Sequence, residues 1–277
     1  MNKSPIVAIV GVKAIRIEDI WVPLVELGGD EIIQDVVLNI ALENEVSSRG
    51  IKISNNEIGE ERKLLSSMSP SLSQDDFNEL MTARGFGKQR QEELLWRNAA
   101  LRKLIANKVK VTDEAIERMF SILHGPSYPA RIIVVTTIDE ASSIKSKLEG
   151  GESFTKLAND YSIDPSAKLG GFVSPISIAD PSWPSPIREA LSELTTNEFS
   201  NPIFIGDRWV ILTVTDDPIS SDKTREEVDS EIRKLAKLSQ ERFLMEELAN
   251  NLIKQQHIKI IDSNLKGTLS SDIYYSE

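Results

Sequence analysis

Apolar positions recur along this chain with two different periods, and the switch between them divides it into three regions. An opening apolar run, Ile6 to Val12, is broken by Lys13 and reads as a strand. From about Asp19 to Phe120 the period is helical. In "DEIIQDVVLNIALENEVSSRG", Ile32, Ile33, Val36, Val37, Ile40 and Ala41 share one face, and Gly50 stops the helix. Ser54 with Glu57 spells a capping box. "SQDDFNELMTARG" runs from Ser73 to Gly85, a long helix follows in "KQRQEELLWRNAALRKLIANKV", and Thr112 caps "VTDEAIERMF".

From about Pro129 to Asp217 the pattern changes. Ala130 to Val135 is a buried strand, and Thr137 with Glu140 caps the helix after it. A short helix, "SFTKLANDYS", precedes the irregular stretch "DPSAKLGGFVSPISIADPSWPSP". A helix in "IREALSEL" leads to two apolar runs around Gly206-Asp207, which form a hairpin. The third region, "REEVDSEIRKLAKLSQERFLMEELANNLIKQQH", is one long amphipathic helix. A strand-like "IKIID" and a polar tail over 265–277, expected to be disordered, complete the chain. The fold class is therefore α+β: a helical domain over 1–127 completed by 218–264, and a small mixed domain over 128–217.

Composition removes several chemistries. With no cysteine, disulfides, cysteine-held metal and cysteine nucleophiles are excluded, and two histidines argue against a metal site; no cofactor is expected. A net charge of −11 argues against nucleic-acid partners and anionic membranes. The first apolar run is too short to span a membrane and unlike a signal peptide, so the chain as written reads as cytoplasmic, or as periplasmic or extracytoplasmic if a leader was removed. No P-loop spacing accompanies "GVKAIR" or "GFGKQR", and no nucleophile elbow supports a serine triad. His124 reads as a turn residue and His257 as a helix-end cation, while Trp21 and Trp96 read as core.

The middle region resembles a parvulin-type peptidyl-prolyl isomerase domain. "ARIIVV", "GGESFTKLANDYSIDPSAKLGGF", "PIREALSEL", "NEFSNPIF" and "GDRWVILTV" carry the likeness, in the family's order and spacing over roughly 90 residues. The flanks resemble the chaperone part of SurA- and PrsA-type foldases: "VAIVGVKAIRIEDI" looks like their opening strand, turn and strand, and "VKVTDEAIERMF" like the helix that feeds the isomerase domain.

The resemblance implies partners and a site. Partners would be unfolded or proline-containing polypeptides, with a homodimer through the terminal helices open. Parvulins carry two His on neighbouring strands and a Cys or Asp facing the prolyl carbonyl. The likeness puts these positions at Arg131, Val210 and Asp164, so both imidazoles are replaced. Arg131 and Asp164 could pair as ions, or Arg131 could snorkel at its strand end. The proline pocket carries over to Val173, Trp183 and Ile187, with Ile176 and Phe204 nearby and Trp209 at the rim; the same residues could be ordinary core. "SPISIADPSWPSP" is about two residues longer than the family's loop, which would reshape the pocket. "TTIDEASS" after the first strand lacks the basic residues of phosphate-specific members. Isomerase turnover is expected to be weak or lost. The alternative is a non-catalytic chaperone, or a scaffold for an exported or modified peptide.

Overall fold

A computed structural model describes residues 4–67 and 73–268. They fall into two compact units, with boundaries between Val109 and Lys110 and between Leu238 and Ser239. The first unit opens with the antiparallel hairpin Ile6–Val10 (β1) and Lys13–Arg16 (β2). The helices Ile17–Ser48 (α1), Asn55–Ser67 (α2), Gln74–Ala83 (α3) and Lys88–Ile105 (α4) follow. The second unit holds Asp113–His124 (α5), Ser127–Val135 (β3), Ile138–Glu149 (α6), Phe154–Tyr161 (α7), Phe172–Ser177 (β4), Ser185–Glu193 (α8), Ile203–Ile205 (β5) and Arg208–Val214 (β6). Helix Arg225–Lys254 (α9) begins in the second unit and ends in the first, where Ser263–Thr268 (α10) closes the described chain.

The core of the first unit joins distant parts of the sequence. Ala41, Leu42 and Val46 of α1 and Ala100, Leu101, Leu104 and Ile105 of α4 pack with Met245 and Leu252 of α9. The expected start and stop signals operate as read. Ser73 accepts from the Asp76 amide, and Ile51 beyond Gly50 closes α1 by bonding back to Val46. Glu57 accepts from the Ser54 amide at 2.7 Å and pairs with Lys103 Nζ at 2.6 Å. The bond from Lys103, then those from Ser54, bring the Glu57 pKa down from 4.5 to about 2. A folded-state pKa below the unfolded value means that this stabilisation is intact above pH 4.5 and is lost as pH falls towards 2. Glu57→Gln is therefore expected to flatten the acid limb of the first unit's stability–pH curve in that window, as read by urea unfolding at a series of pH values.

Two terminal expectations change. "IKIID" finds no strand partner among the described residues and runs unpaired into α10. Helix α10, anchored by Asp262 accepting from the Asn264 and Leu265 amides, takes up the first residues of the expected tail. The rest of that tail lies outside the described residues. Among the described residues no helix is long and apolar enough to cross a membrane.

In the second unit a four-stranded antiparallel sheet of order β4-β3-β6-β5 is covered on both faces. One face carries Ala130, Ile132, Val210, Leu212 and Val214 against Ile187 and Leu191 of α8. The other carries Ile133, Val135 and Ile211 against α6 and α7. Separately, Ile116 of α5 packs with Val228, Ile232 and Ala236 of α9.

Candidate active site

Strand register decides which side chains can meet. Directly opposed residues in an antiparallel pair point to the same face, and neighbours along a strand point to opposite faces. In the β3–β6 pair, Arg131 opposes Thr213, Ile133 opposes Ile211 and Val135 opposes Trp209. Ile132 opposes Leu212, and Val134 opposes Val210. In β5–β6, Ile203 opposes Val210 and Phe204 opposes Trp209.

Val210 thus lies on the α8 face. There it joins Val173, which opposes Ala130, together with Ile176, Trp183 and Ile187. Val134, Val173, Trp183, Ile203 and Ile205 are only partly buried on this face, so its rim is apolar and reachable. Arg131, Phe204 and Trp209 lie on the opposite face. Phe204 and Trp209 meet there as a tilted ring pair, centroids 5.1 Å apart, and do not line the α8 side.

The expected convergence of Arg131, Asp164 and Val210 does not occur. Arg131 Nη1 donates to the carbonyls of Leu169 (3.0 Å) and Gly170 (2.9 Å), and the guanidinium sits 5.9 Å over the Phe172 ring. It neither pairs with Asp164 nor merely snorkels. It braces the end of a 3-10 turn, Pro165–Leu169, against β3. The β3 residues that share Val210's face are Ala130, Ile132 and Val134.

Asp164 stands instead at the edge of β3. Segment 162–164 is laid along β3: Ile163 donates to the Val134 carbonyl at 2.9 Å, and Val134 donates to Ser162 Oγ at 3.0 Å. Asp164 then caps the 3-10 turn, its Oδ1 accepting from the Ser166 amide at 2.8 Å. The turn closes on Gly171, whose carbonyl accepts from Ile132 N at 2.8 Å. The backbone of Asp164 is thereby held beside Val134, across the strand from Val210. Among the described residues no cluster of His, Asp and Glu could hold a metal ion.

Residues 134–216 match the family model described as "Rotamase: PPIC-type PPIASE domain". The chain carries a parvulin domain. The flanks are PrsA-like. Foldase protein PrsA of Enterococcus faecalis is 25% identical over 203 residues, which cover 70% of this chain and 58% of that protein. Foldase protein PrsA of Oceanobacillus iheyensis is 24% identical over 264 residues, covering 94% of this chain and 83% of that protein. The first match thus spans little more than half of its relative. A crystal structure of the Bacillus anthracis peptidylprolyl isomerase PrsA shares the fold over 83% of this chain and all of its own, with a TM-score of 0.50 at 21% identity.

Within the parvulin domain, the residues that alignment of the strand motif alone missed are Ile132, Val134, Ile203 and Ile205. The signal that finds them is pairing, counted from the Gly206 turn through β6 to β3.

Proposed function

We propose that the chain is a parvulin-type foldase that binds unfolded or extended polypeptides and turns over X-Pro bonds weakly. One observation carries the weak-turnover reading: neither position that the likeness gives to the family's imidazoles holds one, and the two stand on different faces of the sheet, Val210 on the α8 side and Arg131 behind it. Rotation about an X-Pro bond breaks no covalent bond, and its barrier of about 20 kcal/mol comes from amide resonance. An apolar cradle that grips the proline ring and leaves the carbonyl free to turn lowers that barrier without a proton donor. Val173 and Trp183, partly exposed, suit the grip; Ile176 and Ile187 are buried and back them from the core, with Ile132 and Val210 forming the floor and Asp164 at the carbonyl side.

The two chain ends supply the chaperone part. Its β1–β2 hairpin leaves Ile6, Val7, Ile9 and Val10 exposed, and α1 leaves Trp21, Val22, Leu24 and Leu27 exposed. Such a surface suits extended apolar segments of a client, or a second copy in a homodimer through the terminal segments. Of the two locations open to the sequence, the PrsA likeness favours work outside the cytoplasm.

The test is isomerisation of X-Pro tetrapeptides. Measurable but low turnover is expected, falling about tenfold in kcat/KM, or about 1.4 kcal/mol, in Trp183→Ala. In Ile132→His with Val210→His it should rise. Background rates in the wild type and in the double-His variant, with unfolded protein still bound, would leave a non-catalytic chaperone.

A further inference from the structure

The loop that carries Trp183 cannot hold itself by backbone bonds alone. "IADPSWPSP" contains Pro181, Pro184 and Pro186, none of which has an amide hydrogen. Its few amides are used locally. Asp180 N donates to Ser177 O at 3.1 Å, Ser182 N to Asp180 Oδ1 at 2.9 Å, and Trp183 N to Asp180 O at 3.3 Å. The carbonyls of Ile178 and Trp183 are left needing donors, and both residues pack partly buried against the sheet's α8 face. Arg188, one turn into α8, supplies them. Its Nε donates to Trp183 O at 3.0 Å and its Nη1 to Ile178 O at 3.0 Å.

We propose that Arg188 is a positioning residue: it latches the two ends of the loop to α8 and so fixes the Trp183 indole as a rigid wall of the proline pocket, setting preference for proline over other residues. This rests on the reading of the α8 face as a proline site. A guanidinium is suited to the task because its donors lie in one plane with fixed spacing, so that two carbonyls bound together lose their freedom relative to each other. An unlatched loop would let the indole swing, and the pocket would admit flatter or unbranched side chains as readily as a pyrrolidine ring. A lysine offers a single flexible ammonium, which can satisfy one carbonyl well but cannot hold the pair in one geometry.

The test uses the full chain labelled with 5-fluorotryptophan, whose four indoles give separate fluorine signals, Trp183 being assigned by its loss in Trp183→Phe. Binding of the peptides Ala-Leu-Pro-Phe and Ala-Leu-Ala-Phe is measured on the same samples. In Arg188→Met the Trp183 signal is expected to shift and broaden while the Trp21, Trp96 and Trp209 signals stay, reporting an intact fold. The preference for the proline peptide should shrink about tenfold, with Arg188→Lys intermediate in both readouts. An unmoved Trp183 signal overturns the latch, and so does a moved signal with the preference intact. Equal binding of the two peptides by the wild type overturns the proline-site reading instead, and the Trp183 signal alone then decides the latch.

Discussion

Gly171→Ala is expected to destabilise the parvulin domain by about 3–5 kcal/mol, at the far end of the range for single substitutions. Gly171 has φ +78°, and a Cβ there would stand 2.3 Å from the Ile132 carbonyl oxygen. Neither atom can give way. The oxygen belongs to the central strand of the sheet, and the turn is tied to the same residue by the Ile132 N to Gly171 O bond. Left-handed backbone strain of about 1–2 kcal/mol adds to the clash. Gly206→Ala is the control: φ is +64°, but nothing lies within 4 Å of its Cβ position, so only the backbone strain applies. Urea unfolding of the two variants should separate by at least about 2 kcal/mol. The loss of the Asp164 cap geometry should also abolish peptide binding in Gly171→Ala before the domain unfolds.

The second large effect belongs to the helical unit. Arg102 on α4 bonds to Glu61 on α2 and to Glu241 on α9, and both carboxylates are almost fully buried. Burial alone would lower the Arg102 pKa; the bonds from Glu61 and then Glu241 outweigh it and raise it. Arg102→Met would remove the cation that the two buried carboxylates share, at a cost of about 3–5 kcal/mol. Adding Glu61→Leu and Glu241→Leu should recover most of that loss, since well-packed apolar replacements of buried ion groups are often neutral. Amide exchange of α1, α4 and α9 checks both steps: fast in the single variant and slowed again in the triple. Recovery would mean that the clamp selects which helices meet more than it adds stability.

Much of this architecture is written locally. The capping pair Ser54 and Glu57, the Thr137–Glu140 box and the Gly206 hairpin each specify an element through contacts within a few residues, and each forms as read. What could not be read is the phase of β3. Its strand is buried on both faces, "RIIVV" being apolar at successive positions, so the alternation that normally tells inside from outside is absent. A one-residue slip then exchanges the two faces. That is why Arg131 was expected at the pocket floor and stands instead behind it, with Ile132 on the pocket side. Phe204 and Trp209 follow the same logic across β5 and β6. Arg131 also shows why residue type misleads: its partners are the carbonyls of Leu169 and Gly170, and sequence says nothing about which carbonyls a turn leaves bare. Helix α10 is hidden because its cap, Asp262, directly follows "IKII", whose alternation looks like a strand.

Helix α9 contributes Val228, Ile232 and Ala236 to one unit and Met245 and Leu252 to the other. During translation, the amino-terminal helices leave the ribosome long before the residues that complete their core exist. The sheet domain between them is finished first. At about 5–20 residues per second, α1 and α4 wait on the order of ten seconds with their apolar stripes bare. The nascent amino terminus therefore needs a holding factor, or tolerance of delay, that a protein built in sequence order would not.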